Sequence, residues 1–263
     1  MIKLFLSISF FLIFNFSYGK VINSIPYSTS ESECSKERCQ LDIYVPDSIV
    51  NPLPVVVWFH GGGLTGGERF IPEELMESDL IVVSPSYRLL PNATIDDCID
   101  DAAAAVAWTF NNIKDYGGDT KNIFVAGHSA GGYLASMIGL QKKWLTKYGI
   151  EPDSIAGLFP YSGQAITHFE VRRGKGMSEL HPMIDEYAPL YHIRKDAPPY
   201  IIITGDAEKE LFGRYEENLY LWRMLKLIGH PDVKIYKLDG YDHGSMEKPA
   251  HHILKNEINR LKN

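Results

Sequence analysis

The chain predicts an α/β fold: a mostly parallel central sheet flanked by helices. Two observations carry this. Solid apolar runs, such as that at 53–59, alternate along the sequence with stretches of helical periodicity. Those runs read as strands buried on both faces, the habit of parallel sheets. Glycine-rich turns also follow several of the runs, at the edge where such a sheet presents its ligand sites. With 263 residues, 45% of them apolar and 22% charged, one domain over 20–263 suffices.

The elements follow in order. Residues 40–45 alternate apolar and polar, as an exposed edge strand does, and 53–59 suits a central strand ending in His60-Gly-Gly-Gly63. A third strand spans 80–85. Thr94-Ile-Asp-Asp97 reads as a capping box for a helix with apolar positions at Ile95, Ile99, Ala102, Val106, Phe110 and Ile113, stopped by Gly117-Gly118. The run 122–126 is a strand and 133–140 a helix. Strands at 155–160, 200–204 and 233–238 follow, with a helix marked by Tyr215, Leu219, Trp222 and Leu225 and a last helix over 248–262. The stretch 163–196, rich in charge, proline and histidine, predicts a loop or small insertion over the site.

Several classes of function are excluded or disfavoured. A net charge of −7 supplies no basic footprint for nucleic acid and matches an anionic membrane surface poorly. There is no zinc spacing, no EF-hand loop and no P-loop lysine, so neither metal nor cofactor is expected. Residues 1–19 read as a signal peptide, with Lys3, an apolar run at 4–16 and small residues near Gly19. That run is too short for a comfortable span, so stable membrane insertion is not expected and export to a periplasmic or extracellular location is. An oxidising compartment would permit, without requiring, a bond between Cys34 and Cys39. Cys98 falls in a helical pattern and reads as a buried thiol.

The chemistry centres on Gly127-His-Ser-Ala-Gly131, a G-x-S-x-G between a strand and a helix. Glycines on both sides allow a sharp turn that exposes the Ser129 hydroxyl, and the helix that follows aims free N–H groups beside it. Alone, the pattern also fits a glycine-rich turn whose serine caps a helix. Acyl transfer by serine needs a base, a group to orient that base and an oxyanion hole. Candidates for all of these lie after strands: the 60–63 loop, carboxylates at 206–210, and His243 in a glycine-bordered turn. In chain order these are the glycine loop, Ser129, a carboxylate and His243.

This ordered set resembles the α/β-hydrolase superfamily, specifically the HGGG-bearing carboxylesterases related to hormone-sensitive lipase and the feruloyl- and acetyl-esterase-like enzymes. The matching pieces are His60-Gly-Gly-Gly63, Ser86-Tyr-Arg-Leu89, Gly117-Gly-Asp119, Gly127-His-Ser-Ala-Gly-Gly132 and Gly240-Tyr-Asp-His-Gly244, within roughly 40–262. The resemblance implies an α/β-hydrolase fold with a minimal lid, Ser129 as nucleophile and His243 as base. It implies oxyanion donors at Gly61, Gly62 and Ala130, where glycine lets the main chain approach a carbonyl oxygen. Family members usually carry Asp three residues after the glycine that follows the strand; that position here is Glu208, a departure from the commoner residue. Asp206 is its rival, and Glu210 stands third.

The expected activity is an exported serine esterase that hydrolyses short-acyl or aromatic carboxylic esters, small-molecule or carbohydrate, through an acyl-enzyme. Two alternatives stand beside it: an arylformamidase- or peptidase-like α/β-hydrolase, and a catalytically dead binding module on the same fold.

Overall fold

The computed structural model describes residues 19–30, 32–47 and 50–262. Of the expected signal peptide, every residue but Gly19 lies outside the described residues. Eight strands form one sheet: β1 (Lys20–Pro26), β2 (Gln40–Val45), β3 (Leu53–Phe59), β4 (Ile81–Pro85), β5 (Gly118–His128), β6 (Gly157–Tyr161), β7 (Tyr200–Thr204) and β8 (Val233–Lys237). Their spatial order is β1-β2-β4-β3-β5-β6-β7-β8. Only the β1–β2 and β2–β4 pairs are antiparallel; β4 through β8 run parallel.

The helices are α1 (Glu33–Arg38), α2 (Glu73–Met76), α3 (Ile95–Asn112), α4 (Ala130–Leu140), α5 (Lys143–Thr146), α6 (Phe169–Gly174), α7 (Arg214–Leu227) and α8 (Glu247–Leu261). The Thr94 capping box is present, with both reciprocal bonds to Asp97. Alternate residues of each central strand serve opposite faces. Val55, Val57, Val125 and Leu158 pack in one core with α3, α4 and α7. Val56, Trp58, Phe124 and Phe159 pack in the other with α2 and α8. Having helices on both faces is what makes these strands read as unbroken apolar runs.

Two expectations are corrected. Residues 40–45 form the second strand and not the edge, because β1 pairs along them. β1 is exposed along most of its length and has no apolar alternation to announce it. The nucleophile strand begins at Gly118, four residues before its apolar run, where Leu53 pairs with Gly118. The question left open at Cys34 and Cys39 is also answered: they are separate free thiols. Cys39 caps α1 and points into the core against Tyr27, where burial pushes its pKa up to about 12. Cys98 is buried in α3 as expected.

Candidate active site

The parallel strands end along one edge, and the site is assembled from the loops that leave it. At the end of β5 the chain turns through Ser129 with φ 55° and ψ −115°, then enters α4 at once. A non-glycine residue in this region costs on the order of 1 to 3 kcal/mol, so the surroundings must impose it. They do so from both sides. The Ser129 N–H donates to the Tyr161 carbonyl of β6 at 2.8 Å, and its carbonyl accepts the first helical bond from Tyr133 at 3.0 Å. The turn closes only because α4 sits almost on the strand ends: a Cβ at Gly131 would lie 2.1 Å from the Phe59 carbonyl oxygen.

His243 lies in the loop between β8 and α8. Its Nε2 is 2.9 Å from Ser129 Oγ, and its Nδ1 is 2.8 Å from Glu210 Oε2. A carboxylate only accepts, so Nδ1 bears the hydrogen and Nε2 turns its lone pair to the hydroxyl.

The acid beside the histidine is therefore Glu210, and neither Glu208 nor Asp206. After β7 the chain makes one helical turn, with the N–H groups of Lys209 and Glu210 both donating to the Asp206 carbonyl. In such a turn the fourth residue on returns to the same side while the second faces away. Glu208 is accordingly exposed, and its N–H donates to Asp206 Oδ1 at 3.0 Å. Asp206 instead ties the two loops together, accepting from the Gly240 N–H at 2.7 Å.

Glu210 is almost wholly buried, its side chain 1% exposed. Oε1 accepts from the Gly205 N–H at 3.0 Å and from the Ser162 hydroxyl, while Leu211 N–H reaches Oε2 at 3.2 Å. Burial alone would raise its pKa, but the bonds from His243, Ser162 and Gly205 outweigh that and bring it to about 2. Ser162, which motif reading overlooked, holds the carboxylate from the end of β6 with φ 44°. Its one sequence signal is position: small residues, Ser162-Gly163, directly after a strand.

The 60–63 loop lies against the serine. A Cβ at Gly61 would be 3.4 Å from Ser129 Cβ, and Gly62 stands at φ 112°, with Gly66 O only 2.2 Å from where its Cβ would be. The Gly62 carbonyl accepts from the N–H groups of Thr65 and Gly66. His60 braces this loop: its Nδ1 donates to the Gly61 carbonyl at 2.7 Å and its ring stacks on Tyr87 at 4.4 Å. Burial lowers its pKa to about 4. Ala130 is the first residue of α4, where a helix leaves its N–H groups without intrahelical partners. Gly61 and Ala130 thus lie beside Ser129, with Gly62 next in the same loop.

Among the other histidines, His230 bonds the Ala197 carbonyl and His251 packs on Trp58 and Tyr161. His128, the residue before the nucleophile, has its ring 4.8 Å from that of His243. Between 163 and 196 the chain holds α6 and one 3-10 turn at Pro189–His192, with Phe169 of α6 against Gly63. Among the described residues no group of three or more His, Cys, Asp or Glu could hold a metal ion, and no helix is long and apolar enough to cross a membrane.

The chain is similar to several known esterases. A family model described as BD-FAE matches residues 41–154. A probable isoprenylcysteine alpha-carbonyl methylesterase of Arabidopsis thaliana is 29% identical over 197 residues, covering 64% of this chain and 41% of the relative. Esterase LipC of Mycobacterium tuberculosis is 25% identical over 221 residues, covering 75% and 54%. The chain thus spans about half or less of the length of these curated relatives. Among solved structures, a truncated carbohydrate esterase from gut microbiota superposes with a TM-score of 0.75 at 15% identity, covering 93% of this chain and 96% of that one. Esterase B from Lactobacillus rhamnosis gives 0.73 at 18% identity, covering 93% and 86%. At such identities the structural likeness establishes the fold, that of the α/β-hydrolases, and the sequence relatives show the stretch that carries the ordered motifs to be similar to carboxylesterases.

Proposed function

We propose that the protein is a serine carboxylesterase that works through an acyl-enzyme. The carrying observation is the unbroken hydrogen-bonded chain from Ser129 through His243 to Glu210, beside a glycine loop that leaves room for a carbonyl oxygen. Ser129 Oγ attacks the ester carbonyl while its proton passes to His243 Nε2, and Glu210 stabilises the imidazolium that forms. The N–H groups of Gly61, Gly62 and Ala130 receive the oxyanion, each such donor contributing about 3 to 4 kcal/mol in the transition state. The imidazolium then protonates the departing alcohol. Water, deprotonated by the same nitrogen, releases the acid and restores the serine.

The substrates are esters of small or aromatic acids. The 163–196 segment, with one short helix, offers little shelter for a long acyl chain. A sugar-borne ester is favoured by the fold shared with a carbohydrate esterase. Export is supported by Lys3 and the apolar run at 4–16. The test is hydrolysis of p-nitrophenyl acetate by the wild type and by Ser129→Ala, followed by acetylated and feruloylated sugars. Removing the serine should lower kcat by up to about 10⁶-fold, as in other serine hydrolases. Equal, feeble rates from both proteins, with no labelling by an organophosphonate, would defeat the proposal.

A further inference from the structure

The mechanism leaves one feature of the elbow unused: the residue before the nucleophile is a histidine whose ring points under the base. His128 Nε2 lies 2.7 Å from the backbone carbonyl oxygen of His243. On its other side, Nδ1 is 3.3 Å from Oε2 of Glu247, the first residue of α8. The base itself sits in a loop without regular structure, between the end of β8 and the start of α8. That loop is tied at Gly240 to Asp206 and Lys209 and closed on itself by Asp242 and Ser245. The bond from His128 ties the backbone of His243 itself, whose ring is held by Glu210.

The donors and acceptors fix the protons. A carbonyl oxygen only accepts, so Nε2 of His128 carries a hydrogen. In a neutral imidazole Nδ1 is then an acceptor, and the Glu247 oxygen 3.3 Å away can bond to it only when that carboxyl carries a hydrogen. We propose that His128 is a positioning residue for the base: a protonated Glu247 sets its tautomer, and its Nε2–H anchors the His243 carbonyl, keeping that imidazole aligned with Ser129 and Glu210. The proposal rests on the esterase reading.

The surroundings favour this distribution of protons. Burial, with the like charge of Glu74 and against the pull of Lys248, raises the Glu247 carboxyl to about 7. Burial, with His243 and Arg214 and against Glu210, lowers His128 to about 4. His251 of α8 is a further neighbour, held neutral by its own burial. Above about pH 7 the Glu247 carboxyl loses its hydrogen, the tautomer is no longer held, and turnover falls while Ser129 stays in place.

The experiment compares His128→Leu, His128→Gln, Glu247→Leu and Glu247→Gln with the wild type. The readouts are kcat and KM on p-nitrophenyl acetate from about pH 5.5 to 9, and the rate at which a fluorophosphonate labels Ser129. His128→Leu should lower kcat and labelling about tenfold or more with KM little changed, since small misplacements of a catalytic group cost this much. His128→Gln offers an amide N–H at similar reach and should recover most of the loss. Glu247→Gln keeps a donor that does not titrate, so its rate should match the wild type at pH 6 and lack the fall above pH 7.

His128→Gln as slow as a folded His128→Leu would overturn the anchor, as would a folded His128→Leu with wild-type kcat. If His128→Leu does not fold, Glu247→Leu decides: unchanged kcat and labelling at pH 6 would refute the proposal, and a loss restored by Glu247→Gln would support it. An alkaline limb shared unchanged by Glu247→Gln and the wild type would remove Glu247 from the device. Failure of the esterase reading would show separately, as a wild type without Ser129-dependent hydrolysis, and the labelling rates would still compare the variants.

Discussion

Glu210 meets His243 through Oε2 at 2.8 Å while its other oxygen is held by Gly205 and Ser162, so one buried carboxylate orients the base from a fixed seat. Its neighbours in sequence have other work or none. Replacing Glu210 by Gln keeps the shape but removes the charge that stabilises the imidazolium. The expected loss in kcat is about 10² to 10⁴-fold, with little change in KM. Glu208→Gln should leave both constants at wild-type values, because Glu208 is exposed and its N–H merely closes a turn on Asp206. Steady-state kinetics on one p-nitrophenyl ester decide it, and the reverse ranking would return the acid to Glu208.

The contrast between those two glutamates shows where sequence reading stops. The parallel sheet was legible because strands covered on both faces must be apolar at consecutive positions, as at Val55, Val56 and Val57. Ser129 and His243 were legible because each follows a strand and is flanked by glycine. The acid was not, since three carboxylates follow β7 and only the helical turn over 206–210 selects which faces inward. β1 went unread because its contribution is backbone pairing with β2, which leaves no apolar pattern. Ser162 was hidden for a similar reason: its role depends on a partner 48 residues further along the chain.

The close packing at the elbow makes a second prediction. Gly131→Ala would put a methyl group 2.1 Å from the Phe59 carbonyl oxygen, a backbone atom that cannot swing away. Relief requires moving α4 off the strand ends and Ser129 with it. We expect a destabilisation of about 3 kcal/mol or more, roughly 6 to 12 °C in Tm for a chain of this size, with activity lost. Gly174→Ala is the control, because nothing lies within 4 Å of its added Cβ. Thermal melts showing equal, small changes for both would contradict the packing described for the elbow.

The glycine loop supplies a third. A Cβ at Gly62 would meet the Gly66 carbonyl oxygen at 2.2 Å, and the φ of 112° disfavours any other residue. Gly62→Ala should therefore shift the loop that places the oxyanion donors. Loss of a single donor costs about 10² to 10³-fold in kcat, and KM should change far less. Wild-type kcat in a folded Gly62→Ala protein would show that the Gly62 N–H does not serve the oxyanion.

Buried histidines set the acid limit of the fold. Burial lowers His60 and His128 from 6.5 to about 4 and His251 to about 3. Between those values and 6.5 the unfolded chain takes up protons that the native state refuses. Stability contributed by the neutral rings is therefore complete above about pH 6.5 and declines as pH falls towards 4. Glu247 acts in the opposite sense: raised from 4.5 to about 7, it favours the native state as pH falls through that interval. Glu210, lowered to about 2, loses its contribution only as pH drops below about 4.5. Three histidines outweigh one glutamate, so Tm should fall on the order of 10 °C from pH 7 to 4.5. Replacing His251, which packs between Trp58 and Tyr161, by Phe should make that decline shallower. A Tm that stays level or rises over this interval would mean that these rings do not titrate as their burial requires.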